Sequence, residues 1–293
     1  MIKNKGASMT SCYICGGEKF IRRPGKVRDN ASLEVMECTD CGLVFLSSFS
    51  HITEGFYGNS GMHAGEVDRE KWSRETAWDD ERRFYTLRRV IENKSVLDFG
   101  CGNGGFLLKA KEVARNVAAI EPENYLKTYF RTEGLEVFPS IEDAADSFDV
   151  ITMFHVLEHI PDPRAILKKL CGKLNDGGQL IVEVPNADDA LLKLYQCEPF
   201  SNFTYWSCHL FLFTPSTLTA LAKQAGLVIN YIKQVQRYPL SNHLYWLAKG
   251  KPGGHQRWNF LDSQELHENY EKALSSIGCC DTIVASFSKS KTL

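Results

Sequence analysis

No run in this 293-residue chain approaches the roughly 18 apolar residues needed to span a bilayer. Its start, MIKNKGASMTSC, has no apolar stretch of signal-peptide type. A charge of one sign is lacking too: 34 Lys and Arg stand against 36 Asp and Glu, for a formal net charge of -2 and a pI near 6.5. That balance excludes a global attraction to nucleic acid and leaves room only for a local basic patch. These absences predict a soluble, cytoplasmic protein with no membrane insertion. With 43% hydrophobic residues the chain can bury a sizeable core, and its length fits one substantial domain with an appendage, or two domains.

Cysteine, by contrast, is plentiful, and the spacing of the ten is informative. Four form two CxxC pairs, Cys12/Cys15 and Cys38/Cys41, each followed by glycine in CGG and CGL. Such knuckles bring two thiolates onto one ion, so the four cysteines predict a closed structural zinc site. A redox dithiol and an iron centre are the competing readings, but two knuckles 22 residues apart fit a zinc ribbon better. A ribbon of this size depends on its metal to fold. Lys19, Arg22, Arg23, Lys26 and Arg28 lie between the knuckles, either to contact phosphate or as a solvated basic loop. A disulfide framework goes with secretion, so Cys101, Cys171, Cys197, Cys279 and Cys280 are assigned to packing and Cys208 is held apart for its neighbours.

The stretch SVLDFGCGNGGFL, residues 95–107, organises the rest. A short apolar strand containing Asp98 enters a glycine-rich turn from Gly100 to Gly105, and apolar positions at Phe106, Leu107 and Ala110 predict a helix. Glycines allow a ligand close to the backbone, and the first helical turn offers unpaired N–H groups. Taken alone the turn is also compatible with no ligand at all. A second strand ends at Glu121-Pro122, 23 positions after Asp98, where an α/β nucleotide site places a carboxylate for both ribose hydroxyls.

A nearly continuous apolar strand, FDVITMF at 148–154, leads into HVLEHIPDP; a helix opens at Asp162-Pro163, GG at 177–178 makes a turn, and QLIVEVP follows as a strand. Thr214-Pro215 starts another helix and Gly226 stops it. VINYIKQV and the terminal CCDTIVASFSK are expected to pair, the latter as the antiparallel edge. The pattern predicts an α/β, doubly wound, Rossmann-like sheet with its ligand crevice at the carboxyl ends of the strands. It divides the chain into a zinc-ribbon module over 1–50, a helical connector and cofactor-side cap over 51–93, and a main domain over 94–293 with an inserted arm at about 236–277. In the connector, Tyr57 and Trp72 either cover a cofactor or simply pack. The arm carries Tyr238, His243, Tyr245, Trp246, His255 and Trp258, a set suited to covering a crevice or to making a homo-oligomer surface.

The stretches VLDFGCGNG at 96–104, AAIEP at 118–122, FDVITMFHVLEHIPDP at 148–163 and GGQLIVEVPN at 177–186 resemble the class I S-adenosylmethionine-dependent methyltransferases, in order and spacing, over about residues 90–235. The resemblance implies a seven-stranded sheet with the last strand antiparallel. It implies S-adenosylmethionine bound by Asp98, Gly100, Cys101, Gly102, Gly104, Glu121 and Pro122. Ile141 and Glu142 would border adenine, Phe154 and His155 would lie beside the methyl-bearing sulfur, and Leu157-Glu158-His159 would form the wall behind it. A hydride-transfer enzyme is the competing reading of the turn, and the full LDFGCG pattern argues against it.

The N-terminal CxxC pairs, followed later by WSCHLFLFTPSTLTALAKQAGL, are similar to methyltransferases that act on sugars of surface polysaccharides and on nucleotide-linked deoxysugars. Where deoxysugar C-methyltransferases have a pattern like YHEHFSYFS, this chain has Trp206 and Cys208 and keeps His209. The resemblance therefore implies O-methylation of a sugar or nucleotide-linked sugar. Histidine has a suitable pKa to take up a hydroxyl proton, so His209, with His155 second, is the expected proton acceptor, and a hydrogen-bonded packing role is the competing reading of each. Trp206, His243, Tyr245 and His255 are expected at the acceptor. An RNA methyltransferase, a sugar C-methyltransferase and a non-catalytic cofactor-binding scaffold are the alternatives.

Overall fold

The computed structural model describes residues 9–53, 55–59 and 68–290. Within the connector, positions 54 and 60–67 lie outside the described residues. At the N-terminus three short strands, β1 (Phe20–Arg22), β2 (Val35–Cys38) and β3 (Val44–Leu46), form an antiparallel ribbon. Both knuckles turn alike: the Gly16 N–H donates to the Cys12 carbonyl at 2.9 Å and the Gly42 N–H to the Cys38 carbonyl at 2.8 Å. Each glycine needs φ near +75°, which other residues rarely adopt.

The charge-dense segment is one 23-residue helix, α1 (Arg69–Ile91), capped by the Asp68 carboxylate accepting from the Lys71 N–H. Asp80, Phe84, Leu87 and Ile91 recur at helical spacing on its buried face, while Trp78 and Tyr85 are exposed. The main sheet then begins with β4 (Ser95–Phe99), followed by α2 (Gly105–Ala110), β5 (Asn116–Ile120), α3 (Lys127–Thr132), β6 (Glu136–Phe138), β7 (Phe148–Phe154), α4 (Pro163–Gly172) and β8 (Leu174–Pro185). Short helices α5 (Ala190–Lys193) and α6 (Glu198–Thr204) lead to β9 (Phe211–Leu212), α7 (Pro215–Gln224) and β10 (Leu227–Val235). The arm contributes α8 (Leu240–Lys249), α9 (Gly254–Arg257) and α10 (Gln264–Ser276), and β11 (Thr282–Lys289) closes the fold. As expected, α7 starts at Pro215 with Thr214 and Thr217 in a reciprocal capping box, and Gly226 follows it at positive φ.

The seven strands run β10-β11-β8-β7-β4-β5-β6. β6, β5, β4, β7 and β8 pair in parallel, and β11 is antiparallel to both β8 and β10. The expected doubly wound sheet with an antiparallel last strand is present. Two details differ. β11 is an inner strand and β10 forms the edge, because β11 inserts between β10 and β8. The glycines at 177–178 form a bulge inside β8, where pairing jumps from Phe148–Leu174 to Val150–Gln179, instead of a turn before the strand.

Chain order reverses between β4 and β7, so a crevice opens at their carboxyl ends, beside Gly100 and His155. The ribbon is continuous with this body. β3 pairs with β9, making a four-stranded sheet β1-β2-β3-β9, and Val44, Phe45, Phe211 and Phe213 belong to one buried cluster with the core of the main sheet. Among the described residues no helix is long and apolar enough to cross a membrane.

Candidate active site

The glycine turn is shaped by α1. The Asn103 side-chain amide donates to Thr76 Oγ1 at 3.0 Å and its carbonyl accepts from the Gly105 N–H at 2.9 Å. A Cβ on Gly102 would stand 3.0 Å from the Trp72 ring, and one on Gly105 would stand 2.1 Å from the Asp80 carboxylate. The turn thus lies under Trp72 and Asp80 with no room for larger residues. Gly104 serves the fold, sitting at the start of α2 against Phe130 and Leu135, and does not line the cavity.

Two carboxylates face the turn. Asp98 is buried at the end of β4 and accepts from Thr152 Oγ1 at 2.7 Å. Glu121 accepts from the Gly102 N–H at 2.9 Å and the Glu123 N–H at 3.0 Å. Burial pushes both up to about 7. A cationic ligand with ribose hydroxyls would relieve that cost, so the residues present fit a nucleoside sulfonium.

One cavity of about 760 Å³ joins these groups to the other expected residues. Gly100, Cys101, Gly102, Pro122, Ile141, Glu142, Phe154, His155, Trp206, His209, His243 and His255 all line it, as do Tyr57 and Trp72. Glu142 is held in an ion pair with Lys169. Tyr245 does not line the cavity; it is buried on α8 with its ring edge-on to Trp258. His243 is committed within the arm, with one ring nitrogen 2.8 Å from Tyr270 Oη and the other 3.2 Å from the Gln236 amide; burial lowers it to about 4.

His155 has φ +54, a conformation uncommon outside glycine and frequent at functional sites. Its Nδ1 lies 3.3 Å from Glu158, and its Nε2 lies 3.2 Å from Glu183 and 3.1 Å from Arg237. Burial and Arg237 push its pKa down, but Glu158 and Glu183 prevail and raise it. Glu183 also accepts from Arg82 at 2.8 Å and Arg83 at 2.7 Å, while Arg237 pairs with Asp79. Sequence reasoning missed this network. Its one visible signal was a glutamate inside the otherwise apolar run LIVEVP.

His209 Nδ1 donates to the Thr204 carbonyl at 3.0 Å. Burial, followed by the neighbouring His159, lowers it to about 3. Its ring lies 5.1 Å from His159 and 5.4 Å from Trp206, centroid to centroid. Two residues of the basic loop are engaged by the fold: Arg23 binds Glu37 and the Ala187 carbonyl, and Arg28 lies over the Trp206 ring at 4.5 Å.

In the ribbon, Cys12 and Cys41 sulfurs lie 3.5 Å apart, as do Cys15 and Cys38, and all four lie within 4.8 Å of one another. Tetrahedral zinc with its Zn–S bonds of about 2.3 Å spaces sulfurs at about 3.8 Å, close to this arrangement. The Gly17 N–H points at Cys15 Sγ at 3.4 Å, as suits a thiolate. The donor set fits a zinc ion.

Fold and site together define an S-adenosylmethionine-dependent methyltransferase, hence an enzyme. The family described as a methyltransferase domain matches residues 72–231, more than half the chain, and the protein belongs to it. The ubiquinone biosynthesis O-methyltransferase of Hydrogenovibrio crunogenus is 28% identical over 213 residues, covering 60% of this chain and 88% of its own. That of Xanthomonas euvesicatoria pv. vesicatoria is 26% identical over 212 residues, covering 63% and 89%. Among solved structures, a complex of the Haloferax volcanii Trm112 methyltransferase activator with a methyltransferase aligns with a TM-score of 0.53 at 14% identity, over 77% of this chain and 94% of the other. A SAM-dependent methyltransferase from Archaeoglobus fulgidus gives 0.50 at 19%, over 75% and 99%. These likenesses show the fold.

Proposed function

We propose that the enzyme methylates a hydroxyl oxygen of a small acceptor, a sugar or nucleotide-linked sugar used in surface-polysaccharide or related biosynthesis in the cytoplasm. The observation that carries this reading is the single cavity of about 760 Å³. Its lining includes the glycine turn and Glu121 for the donor and, for the acceptor, Trp206, His209 and the arm's Asn242, His243 and His255, planar rings and hydrogen-bonding groups suited to a polyhydroxylated ligand.

S-adenosylmethionine supplies a methyl group already activated by the sulfonium. Asp98 would hold its methionine part and Glu121 its ribose hydroxyls, Gly100, Cys101 and Gly102 would admit it against the backbone, Pro122, Ile141 and Glu142 would border its base, and Phe154 and His155 would lie beside the methyl-bearing sulfur. The chain's remaining task is to align the acceptor and receive its proton. His209, with its proton fixed on Nδ1 by Thr204, offers Nε2 for that step, and His155 is the second choice. In this reading residues 1–50 form a ribbon holding zinc at Cys12, Cys15, Cys38 and Cys41, 51–93 the cofactor-side cap, and 94–293 the methyltransferase domain, whose arm at about 236–277 covers the acceptor.

A phenolic acceptor is the second reading, favoured by the relatives' names, which specify O-methylation in ubiquinone biosynthesis. Labelled S-adenosylmethionine, incubated with nucleotide sugars, polyhydroxylated phenols and RNA and read by mass spectrometry, separates these. Label on a sugar oxygen supports the first reading. Label confined to phenols or RNA overturns it.

A further inference from the structure

Three side chains converge at the acceptor end in a way that methyl transfer alone leaves unexplained. A carboxylate oxygen of Glu158 and a ring nitrogen each of His159 and His209 lie within 4.8 Å of one another. Glu158 is completely buried. Its Oε1 faces His155 Nδ1 at 3.3 Å, but Oε2 is buried with no hydrogen-bond partner. A buried carboxylate oxygen left unpaired is costly unless something absent from the protein chain satisfies it.

Both rings are oriented from behind. His159 Nδ1 lies 2.7 Å from the Cys208 carbonyl and His209 Nδ1 lies 3.0 Å from the Thr204 carbonyl. Carbonyls only accept, so each ring carries its proton on Nδ1 and keeps the Nε2 lone pair. A backbone carbonyl holding the far nitrogen is the arrangement that fixes metal-ligating histidines. The segments bearing them are tied together too: the Leu210 N–H donates to the Glu158 carbonyl at 2.9 Å, and Tyr57 Oη donates to the His159 carbonyl at 2.7 Å. Trp206 stands edge-on to both rings.

We propose that Glu158, His159 and His209 bind a divalent transition ion on the acceptor side of the cavity, separate from the four-cysteine cluster. One carboxylate and two imidazoles suit Zn²⁺, Mn²⁺ or Fe²⁺, and three protein ligands leave coordination positions open. The use made of the ion rests on the methyl-transfer reading: an acceptor with two adjacent oxygens fills the open positions. The ion lowers the pKa of the bound hydroxyl, whose proton passes to water at the cavity mouth. The oxygen then bonds to the methyl carbon as the carbon–sulfur bond breaks, the sulfur keeps the electron pair, and the ion does not change oxidation state. With the ion bound, water takes the proton that His209 Nε2 would receive in the metal-free site.

Metal binding is tested without donor or acceptor, so its failure is distinguishable from failure of the methyl-transfer reading. The full-length, zinc-loaded protein is titrated with Mn²⁺ by electron paramagnetic resonance and with Co²⁺ by visible absorption, where cysteine ligation would reveal itself through thiolate charge-transfer bands. One ion per chain at micromolar affinity, without those bands, is expected. Glu158→Gln and His209→Ala should each weaken it at least tenfold while S-adenosylhomocysteine binding and zinc content persist. His209→Ala keeps the test decisive if Glu158→Gln does not fold, since His209 lies at the cavity wall. Absence of stoichiometric binding of both ions, or binding unchanged in the folded variants, overturns the proposal.

Discussion

Phe45 of the ribbon pairs in antiparallel register with Phe211, two residues beyond His209. The next backbone bond runs from the Leu46 N–H to the Leu210 carbonyl at 3.0 Å. The four-cysteine ribbon therefore braces the strand that directly follows His209. Stripping the metal, or Cys38→Ser, should release one zinc per chain and destabilise the protein by about 3 kcal/mol, a fall in Tm of ~5–10 °C. Turnover should drop while S-adenosylhomocysteine affinity changes little, because Glu121 and the glycine turn lie on other strands. Zinc content, melting curves and calorimetric binding check this; zinc loss with an unchanged Tm would contradict it.

Glu121 and Asp98 should make cofactor binding depend on pH. In the free protein both are raised to about 7 from 4.5 and 3.8, chiefly by burial. A raised carboxylate binds more protons folded than unfolded, so this contribution to stability is present at low pH and is lost as pH rises towards 7. Bound S-adenosylmethionine favours the ionised forms, so its affinity should rise with pH from about 5.5 and level off above about 7. Calorimetry in two buffers of different ionisation enthalpy should detect proton release at pH 6; a flat affinity across pH 5.5–8 would count against this.

Glu183 is buried among Arg82, Arg83 and His155, whereas Arg22 and Glu34 pair in the open at 60% and 47% exposure. Burial decides their worth. Glu183→Ala leaves buried guanidinium groups uncompensated and should cost about 3–5 kcal/mol. Glu34→Ala should cost less than about 1 kcal/mol. Chemical denaturation of both variants checks the contrast, and equal losses would refute it.

What was legible in the chain was local. The two knuckles, the glycine turn, the apolar β7 and the caps of α4 and α7 each follow from neighbouring residues, so their spacing announces them. Glu121 was legible because strand and turn lengths bring a residue 23 positions after Asp98 to the same end of the sheet. The β3–β9 pairing was not, since β9 has two residues and its partner lies more than 160 positions away. The Asp79, Arg82, Arg83, Glu183 and Arg237 network exists only after three distant segments meet. The sequence offers Glu158 and His159 only as part of a wall behind the methyl-bearing sulfur, because His209, 50 positions on, reaches them only through the fold. Tyr245 and His243 looked equivalent in sequence, but the packing of α8 buries Tyr245 against Trp258 and leaves His243 at the cavity.

Gly105 tests whether α1 holds the cofactor turn in place. A methyl group there would come within 2.1 Å of Asp80 Oδ2, 2.9 Å of its Cγ and 3.2 Å of Asn103 Oδ1. Asp80 cannot simply swing aside, since Thr76 donates to its Oδ2 at 2.9 Å and Arg83 lies 3.6 Å from its Oδ1. Gly105→Ala should therefore push α1 outward and cost about 1–3 kcal/mol, despite alanine being the better helix former. Because Trp72 on the same helix lies over Gly102, S-adenosylhomocysteine affinity should fall about tenfold or more. Asp80→Ala removes the obstruction, so in the double variant Gly105→Ala should cost less than in the native background. Additive losses in that cycle would show that the glycine is needed for some reason other than room for Asp80.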